Sequence, residues 1–305
     1  MVMQAYYPFK SHFFDLDGLK YHYLDEGKGD PVVMLHGNPS WSFYYRELVR
    51  ELRDGYRTIV PDHIGCGLSD KPADSYYSFT LKQRVDDLER LLDHLGIHER
   101  ITLVLHDWGG MIGMAYASRH PERIARLVIL NTAAFHLPKG KKFPLALKIC
   151  RDTQFGAFLV QTFNAFARAA ARVGCKRKPM NAELRRAYCS PYDNWHNRLA
   201  TLRFVQDIPL TPGDPSYALV SEVDAGLHRF ADLPTAIFWG EKDFVFDRVF
   251  RDEWTRRFPK AELHSYPDVG HYVLEDAGEE IIPLIRRFLT NHPLPTVPKW
   301  KQKQR

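Results

Sequence analysis

Three residues able to do acid–base or nucleophilic work stand just after strand-like segments in this 305-residue chain. They are Asp107 in His106-Asp107-Trp108-Gly109-Gly110, Asp243 in Trp239-Gly240-Glu241-Lys242-Asp243, and His271 in Asp268-Val269-Gly270-His271. A polar residue between the run Ile101 to Leu105 and a glycine-led helix has the form of a nucleophile elbow, a sharp strand-to-helix turn that lifts one side chain. Gly109, Gly110 and Gly113 are the small residues that close strand–helix approach requires. The nucleophile position holds Asp, and Leu105 stands where the serine motif has Gly, so the usual serine chemistry is excluded. A carboxylate is already ionised at neutral pH and attacks without a base. The chemistry implied is displacement at carbon, leaving an ester on Asp107. His271 then serves as base for the water that opens the ester, and Asp243 orients the imidazole. Asp107 alone could equally be a helix N-cap, which Asp suits. The succession of three such residues at three strand ends argues for a shared site.

The elements around them alternate. Phe13 to Leu24, turning at Asp17-Gly18, predicts an antiparallel hairpin. Val32 to Leu35, Thr58 to Val60, Ile101 to Leu105 and Ala125 to Leu130 are short continuous apolar runs, as strands buried on both faces require. Helices are expected around Tyr44 to Leu52, from a Thr80/Gln83 capping box to Leu95 with Gly96 as the stop, and from near Gly109. From about Phe135 to Phe230 no buried strand is evident and the pattern is helical and basic. Strand and helix then resume: Thr235 to Trp239, Asp247 to Phe258, Glu262 to Tyr266 and Glu279 to Leu289. This rhythm predicts a mostly parallel α/β sheet with a helical cap over its C-terminal edge, where ligands bind in such sheets. The expected division is core 1–134, cap 135–230, core 231–292 and a basic tail 293–305.

Composition narrows the classes. Apolar residues at 45% and charged residues at 26% exclude disordered and collagen-like chains. The net charge of +5 is small and partly concentrated between Lys139 and Lys178 and in the tail from Lys299. Without a nucleic-acid motif the tail is read as a solvated end, and no nucleic-acid partner is expected. Cys66, Cys150, Cys175 and Cys189 form no CxxC or zinc spacing, and Gly96 breaks any pairing of His94 with His98, so no metal or other cofactor is expected. The absence of a leader pattern in Met1 to Lys10, of a membrane-spanning run, and of any need for disulfides points to the cytoplasm.

Order and motif together carry a resemblance. Nucleophile, acid, then histidine is the chain order of α/β-hydrolase triads. His36-Gly37-Asn38-Pro39-Ser40-Trp41, the segment Pro61 to Pro72 (PDHIGCGLSDKP) and HDWGG resemble the haloalkane dehalogenases of that superfamily. The resemblance implies an eight-stranded sheet, halide donation by the side chains of Asn38 and Trp108, and an oxyanion held by their backbone N–H groups. It is nearest the third subfamily, whose acid follows the seventh strand; Asn131 occupies the alternative acid position and leaves that role to Asp243. The segment from Ser190 to Leu210 is similar to a neighbouring group, the β-lactone decarboxylases of bacterial long-chain olefin synthesis. The first expectation is therefore a haloalkane dehalogenase-like hydrolase releasing halide and alcohol, with cis-β-lactone decarboxylation as the alternative. Epoxide hydrolases share HDWGG and use lid tyrosines, for which Tyr188, Tyr192 and Tyr217 are available, though Asn38 departs from their usual aromatic. The implied partners are a small hydrophobic substrate and a halide ion, and assembly into an oligomer or multi-enzyme complex stays open. The apolar stretch Leu145 to Ala171, punctuated by Lys148, Arg151, Arg168 and Arg172, is read mainly as lid packing, with docking to a membrane or partner as the lesser reading.

Overall fold

The computed structural model describes residues 6–295. Most of the basic tail and the extreme N-terminus thus lie outside the described residues. Eight strands form one sheet: β1 His12–Leu16, β2 Leu19–Glu26, β3 Asp30–Leu35, β4 Tyr56–Pro61, β5 Ile101–Asp107, β6 Ile124–Thr132, β7 Thr235–Gly240 and β8 Glu262–Tyr266. Their order is β1-β2-β4-β3-β5-β6-β7-β8. β1 and β2 pair antiparallel, as do β2 and β4, while every pair from β4 to β8 is parallel.

The apolar runs explain the two-sided covering. In a strand, successive side chains point to opposite faces. Val33, Leu35, Leu103, Leu105, Ile129 and Trp239 belong to one core cluster, with the helices Leu81–His94 and Trp108–Arg119. Val32, Met34, Val104, Val128, Leu130 and Phe238 belong to the other, with Arg46–Leu52 and Gly278–Asn291. β5, buried along its whole length, runs between β3 and β6 and ends at Asp107.

Six α-helices intervene between β6 and β7: Leu145–Asp152, Gln154–Phe163, Ala165–Val173, Ala182–Cys189, Leu199–Gln206 and Tyr217–Gly226. Short polar side chains cap two of them. Thr153 accepts from the Gly156 N–H at 2.9 Å and Asn181 from the Leu184 N–H at 2.8 Å.

Local details depart from the sequence expectation. The segment expected as a helix from Tyr44 begins as a tight 3-10 turn, Ser42–Tyr45, before Arg46–Leu52. The Ser42 N–H donates to Asp62 at 2.6 Å and the Tyr45 hydroxyl to the Leu35 carbonyl at 2.8 Å, which pins that turn against the sheet. Only half the Thr80/Gln83 box forms. Thr80 accepts from the Gln83 N–H, but the Gln83 side-chain amide donates forward to Asp87. A short helix, Val273–Asp276, follows β8 where no periodic signal is long enough to show one. The stretch from Leu145 to Ala171 is not wholly packed: Leu145, Phe155, Phe158 and Phe163 are exposed.

Candidate active site

The elbow is real and strained. Asp107 sits at φ 51 and ψ −125 between β5 and the helix Trp108–Arg119 and makes no side-chain cap bond, so its carboxylate is not spent on the helix end. The glycines make the turn possible. A Cβ on Gly109 would overlap the Leu35 carbonyl oxygen, and one on Gly110 would overlap the Thr132 hydroxyl. Gly37, in the loop after β3, is needed for a different reason: a Cβ there would occupy the space of the Asp107 carboxylate itself. Thr132 secures the turn from β6 by donating to the Asp107 carbonyl.

Asp107 Oδ1 accepts the Asn38 backbone N–H at 2.7 Å. Burial raises the Asp107 pKa above its ordinary value, while the His271 charge and the N–H groups of Asn38 and Trp108 restrain the rise. His271 Nε2 stands 3.8 Å from Asp107 Oδ2. Its Nδ1 lies 2.7 Å from Asp243 Oδ2, and because an ionised carboxylate only accepts, Nδ1 carries the proton of this bond. Burial alone would lower the His271 pKa; the charge and hydrogen bond of Asp243, with Asp107 beside it, outweigh that and hold it above the ordinary value.

Three residues, Asn131, His106 and Asp276, make positioning contacts that motif reading misses. Asn131 at the end of β6, with φ 31, does more than vacate the acid position. Its Nδ2 donates to Asp243 Oδ2 and to the Gly240 carbonyl, each at 2.9 Å, and its Oδ1 accepts the Gly240 N–H at 2.7 Å. His106 packs its ring 4.6 Å from that of His271 and its Nε2 lies 3.0 Å from the His271 carbonyl oxygen. Asp276, in the short helix, accepts from the N–H groups of Gly270, Lys176 and Lys178, tying the histidine loop to the helical block. For Asn131 and His106 the sequence cue was a polar residue near the end of an apolar strand; the short helix that carries Asp276 gave none.

Asp107, His271, Asn38 and Trp108 line one cavity of about 360 Å³, with Asp243 behind His271. Most of the remaining wall is apolar: Phe135, Phe246 and Phe250 on the core side, Leu147, Leu159 and Phe166 on the side of the helical block. The Asn38 side-chain amide donates to the Thr201 carbonyl at 3.0 Å, which leaves its second proton uncommitted. Among the described residues no tyrosine lines this cavity. The Tyr188 hydroxyl donates to Glu275, that of Tyr192 to the Ser40 carbonyl, and Tyr217 stacks on His136. The three tyrosines noted for epoxide opening thus serve packing and hydrogen bonding elsewhere, and the epoxide hydrolase expectation loses its activating groups.

Strand order and elbow alike are those of an α/β hydrolase, and the chain belongs to the α/β-hydrolase fold family, whose model matches residues 30–278. Within the family it is similar to a cis-3-alkyl-4-alkyloxetan-2-one decarboxylase from Shewanella oneidensis, 60% identical over 95% of this chain and 91% of that protein. Haloalkane dehalogenase 2 of Mycobacterium tuberculosis is 32% identical over 92% of this chain and 96% of its own length. The crystal structure of the haloalkane dehalogenase DatA from Agrobacterium tumefaciens superposes with a TM-score of 0.84 at 25% identity, covering 95% of this chain and 99% of that one.

Proposed function

We propose that this enzyme decarboxylates cis-3,4-dialkyl β-lactones to alkenes, in preference to the haloalkane hydrolysis that the motifs first suggest. The relative at 60% identity carries the reading, against 32% for the dehalogenase, and the roomy apolar cavity above Asp107 suits a substrate with two alkyl arms. An Asp107 oxygen attacks C4 of the lactone from the side opposite the ring oxygen. The C4–O1 bond breaks and its electron pair leaves on the new carboxylate. The C3–carboxylate bond then breaks, its pair forms C3=C4, and the bond from C4 to Asp107 breaks in turn. Carbon dioxide and alkene depart, and Asp107 is again a carboxylate. Inversion at C4 followed by anti elimination keeps the two alkyl groups cis.

No water enters that sequence. In this reading His271 acts by charge: protonated below its raised pKa, it stabilises Asp107 as attacking and leaving group. The departing carboxylate is received by N–H donors of Asn38 and Trp108. A second reading, dehalogenation, keeps its support in this same donor pair, which would equally receive a halide. Purified protein given a cis-β-lactone and a bromoalkane series decides between them. Fast alkene and carbon dioxide release with residual bromide release is expected; efficient bromide release without alkene would overturn the proposal.

A further inference from the structure

The helices that roof the cavity present an outer face which the chemistry does not use. Leu147, Leu159 and Phe166 point into the cavity, whereas Leu145, Phe155 and Phe158 of the same helical layer stand in solvent, 71%, 64% and 53% exposed. Phe163 joins them, its ring 5.6 Å from that of Phe158. Trp195, 57% exposed, stands on the adjoining segment, which Arg198 fastens by donating to the carbonyls of Gln161 and Thr162. Five large apolar side chains left in water in one neighbourhood are more than scattered surface residues require.

Charge around them is mostly positive, although exposed Asp193 stands beside Trp195. From Lys139 to Lys178 the sequence has ten lysines and arginines and a single carboxylate, Asp152. Asp152 is already paired with Arg151. Lys148, Arg168 and Arg172 are exposed and, among the described residues, no ion pair engages them. A protein partner matching an apolar patch commonly brings mixed charge at its rim. A mainly cationic rim around protruding aromatics complements the anionic leaflet of a bilayer.

We propose that this face docks the enzyme on anionic membrane surfaces, Phe155, Phe158 and Trp195 entering the headgroup layer and Lys148, Arg168 and Arg172 lying against lipid phosphates. The helical roof of the cavity then lies against the phase in which a two-chain lactone dissolves. That benefit rests on the proposed function, but the docking can be tested without any substrate. The full chain is floated with phosphatidylglycerol/phosphatidylcholine vesicles and, separately, with phosphatidylcholine alone. Binding is expected to the anionic vesicles, weakening with salt. Phe155→Ser with Phe158→Ser should lower the bound fraction at least about tenfold, and Lys148→Glu with Arg168→Glu and Arg172→Glu should remove binding. Both variants should turn over a short, water-soluble β-lactone normally, since none of these residues lines the cavity. Absence of binding to anionic vesicles, or equal binding by the variants, overturns the docking. So does sedimentation showing that Phe158→Ser splits a wild-type oligomer, which would give the face to a second copy. Failure to decarboxylate lactones, with vesicle binding intact, would count against the proposed function alone.

Discussion

Asn131 and His271 meet on one oxygen: both donate to Asp243 Oδ2, at 2.9 and 2.7 Å. The acid is therefore held from the end of β6 as well as used at the end of β7. A further N–H, from Val245, occupies its other oxygen at 2.7 Å. Such backing residues commonly matter by about ten- to a hundredfold where a site depends on orientation. Asn131→Leu should lower kcat by about that factor with KM little changed, while Asp243→Asn should cost about a thousandfold or more. Steady-state kinetics on variants whose thermal unfolding remains cooperative make the comparison. An Asn131 variant with wild-type kcat would reduce this residue to packing.

The pH profile should report the burial of Asp107. Its reactive form is the carboxylate, and burial raises its pKa above the ordinary 3.8, so rate is lost as pH falls through that raised value. The His271 charge is among the causes that restrain the rise. His271→Ala removes it and should move the acid limb to higher pH still. Single-turnover loss of substrate, followed from acid to neutral pH, measures both midpoints. A limb at the ordinary carboxylate value, or one that stays put in the variant, contradicts this account of the electrostatics.

Gly109 should be intolerant of any side chain. An alanine Cβ would meet the Leu35 carbonyl oxygen, which is backbone of a central strand and cannot turn aside. Gly109→Ala is expected to destabilise the fold by about 3 kcal/mol or more, or to displace the elbow. Chemical denaturation of the variant reads the first outcome, and loss of turnover in a still-folded variant reads the second. Wild-type stability and activity together would contradict the close approach.

How much of this was legible follows from what each signal depends on. Continuous runs such as Val32 to Leu35 announce strands because both faces of the sheet are covered, and the structure places strands at all the expected runs. Asp107, Asp243 and His271 were readable as candidates because each follows a strand-like segment in nucleophile, acid, histidine order, and the fold brings them together. Asn131 was readable only as an absent acid, since its contacts lie 109 and 112 residues away and belong to packing between β6 and β7. Gly37 lay inside a motif, yet its reason, space for another residue's carboxylate, is a matter of three dimensions. The tyrosines failed in the opposite way. Residue type made Tyr188, Tyr192 and Tyr217 available, but side-chain direction sends all three elsewhere.

The fate of oxygen separates the two chemistries at Asp107 itself. In haloalkane hydrolysis, water adds to the carbonyl carbon of the aspartyl ester, and collapse leaves one water-derived oxygen on Asp107. That route needs His271 as a base for the water. In decarboxylative elimination the bond that breaks runs from C4 to the Asp107 oxygen, so both carboxylate oxygens stay in place. The proposed function takes this second path. His271 is biased towards its protonated form by Asp243 and Asp107, and the cavity wall is largely apolar. Turnover of a cis-β-lactone in heavy-oxygen water should therefore leave the peptide containing Asp107 unlabelled, whereas any bromoalkane turnover should label it. His271→Ala should accumulate an alkyl-ester adduct with the bromoalkane but not with the lactone, because loss of carbon dioxide frees the ester without water. Mass spectrometry of the digested protein reads both results. Label at Asp107 accompanied by a β-hydroxy acid from the lactone would mean that water reaches the ester and that this enzyme hydrolyses what it was proposed to decarboxylate.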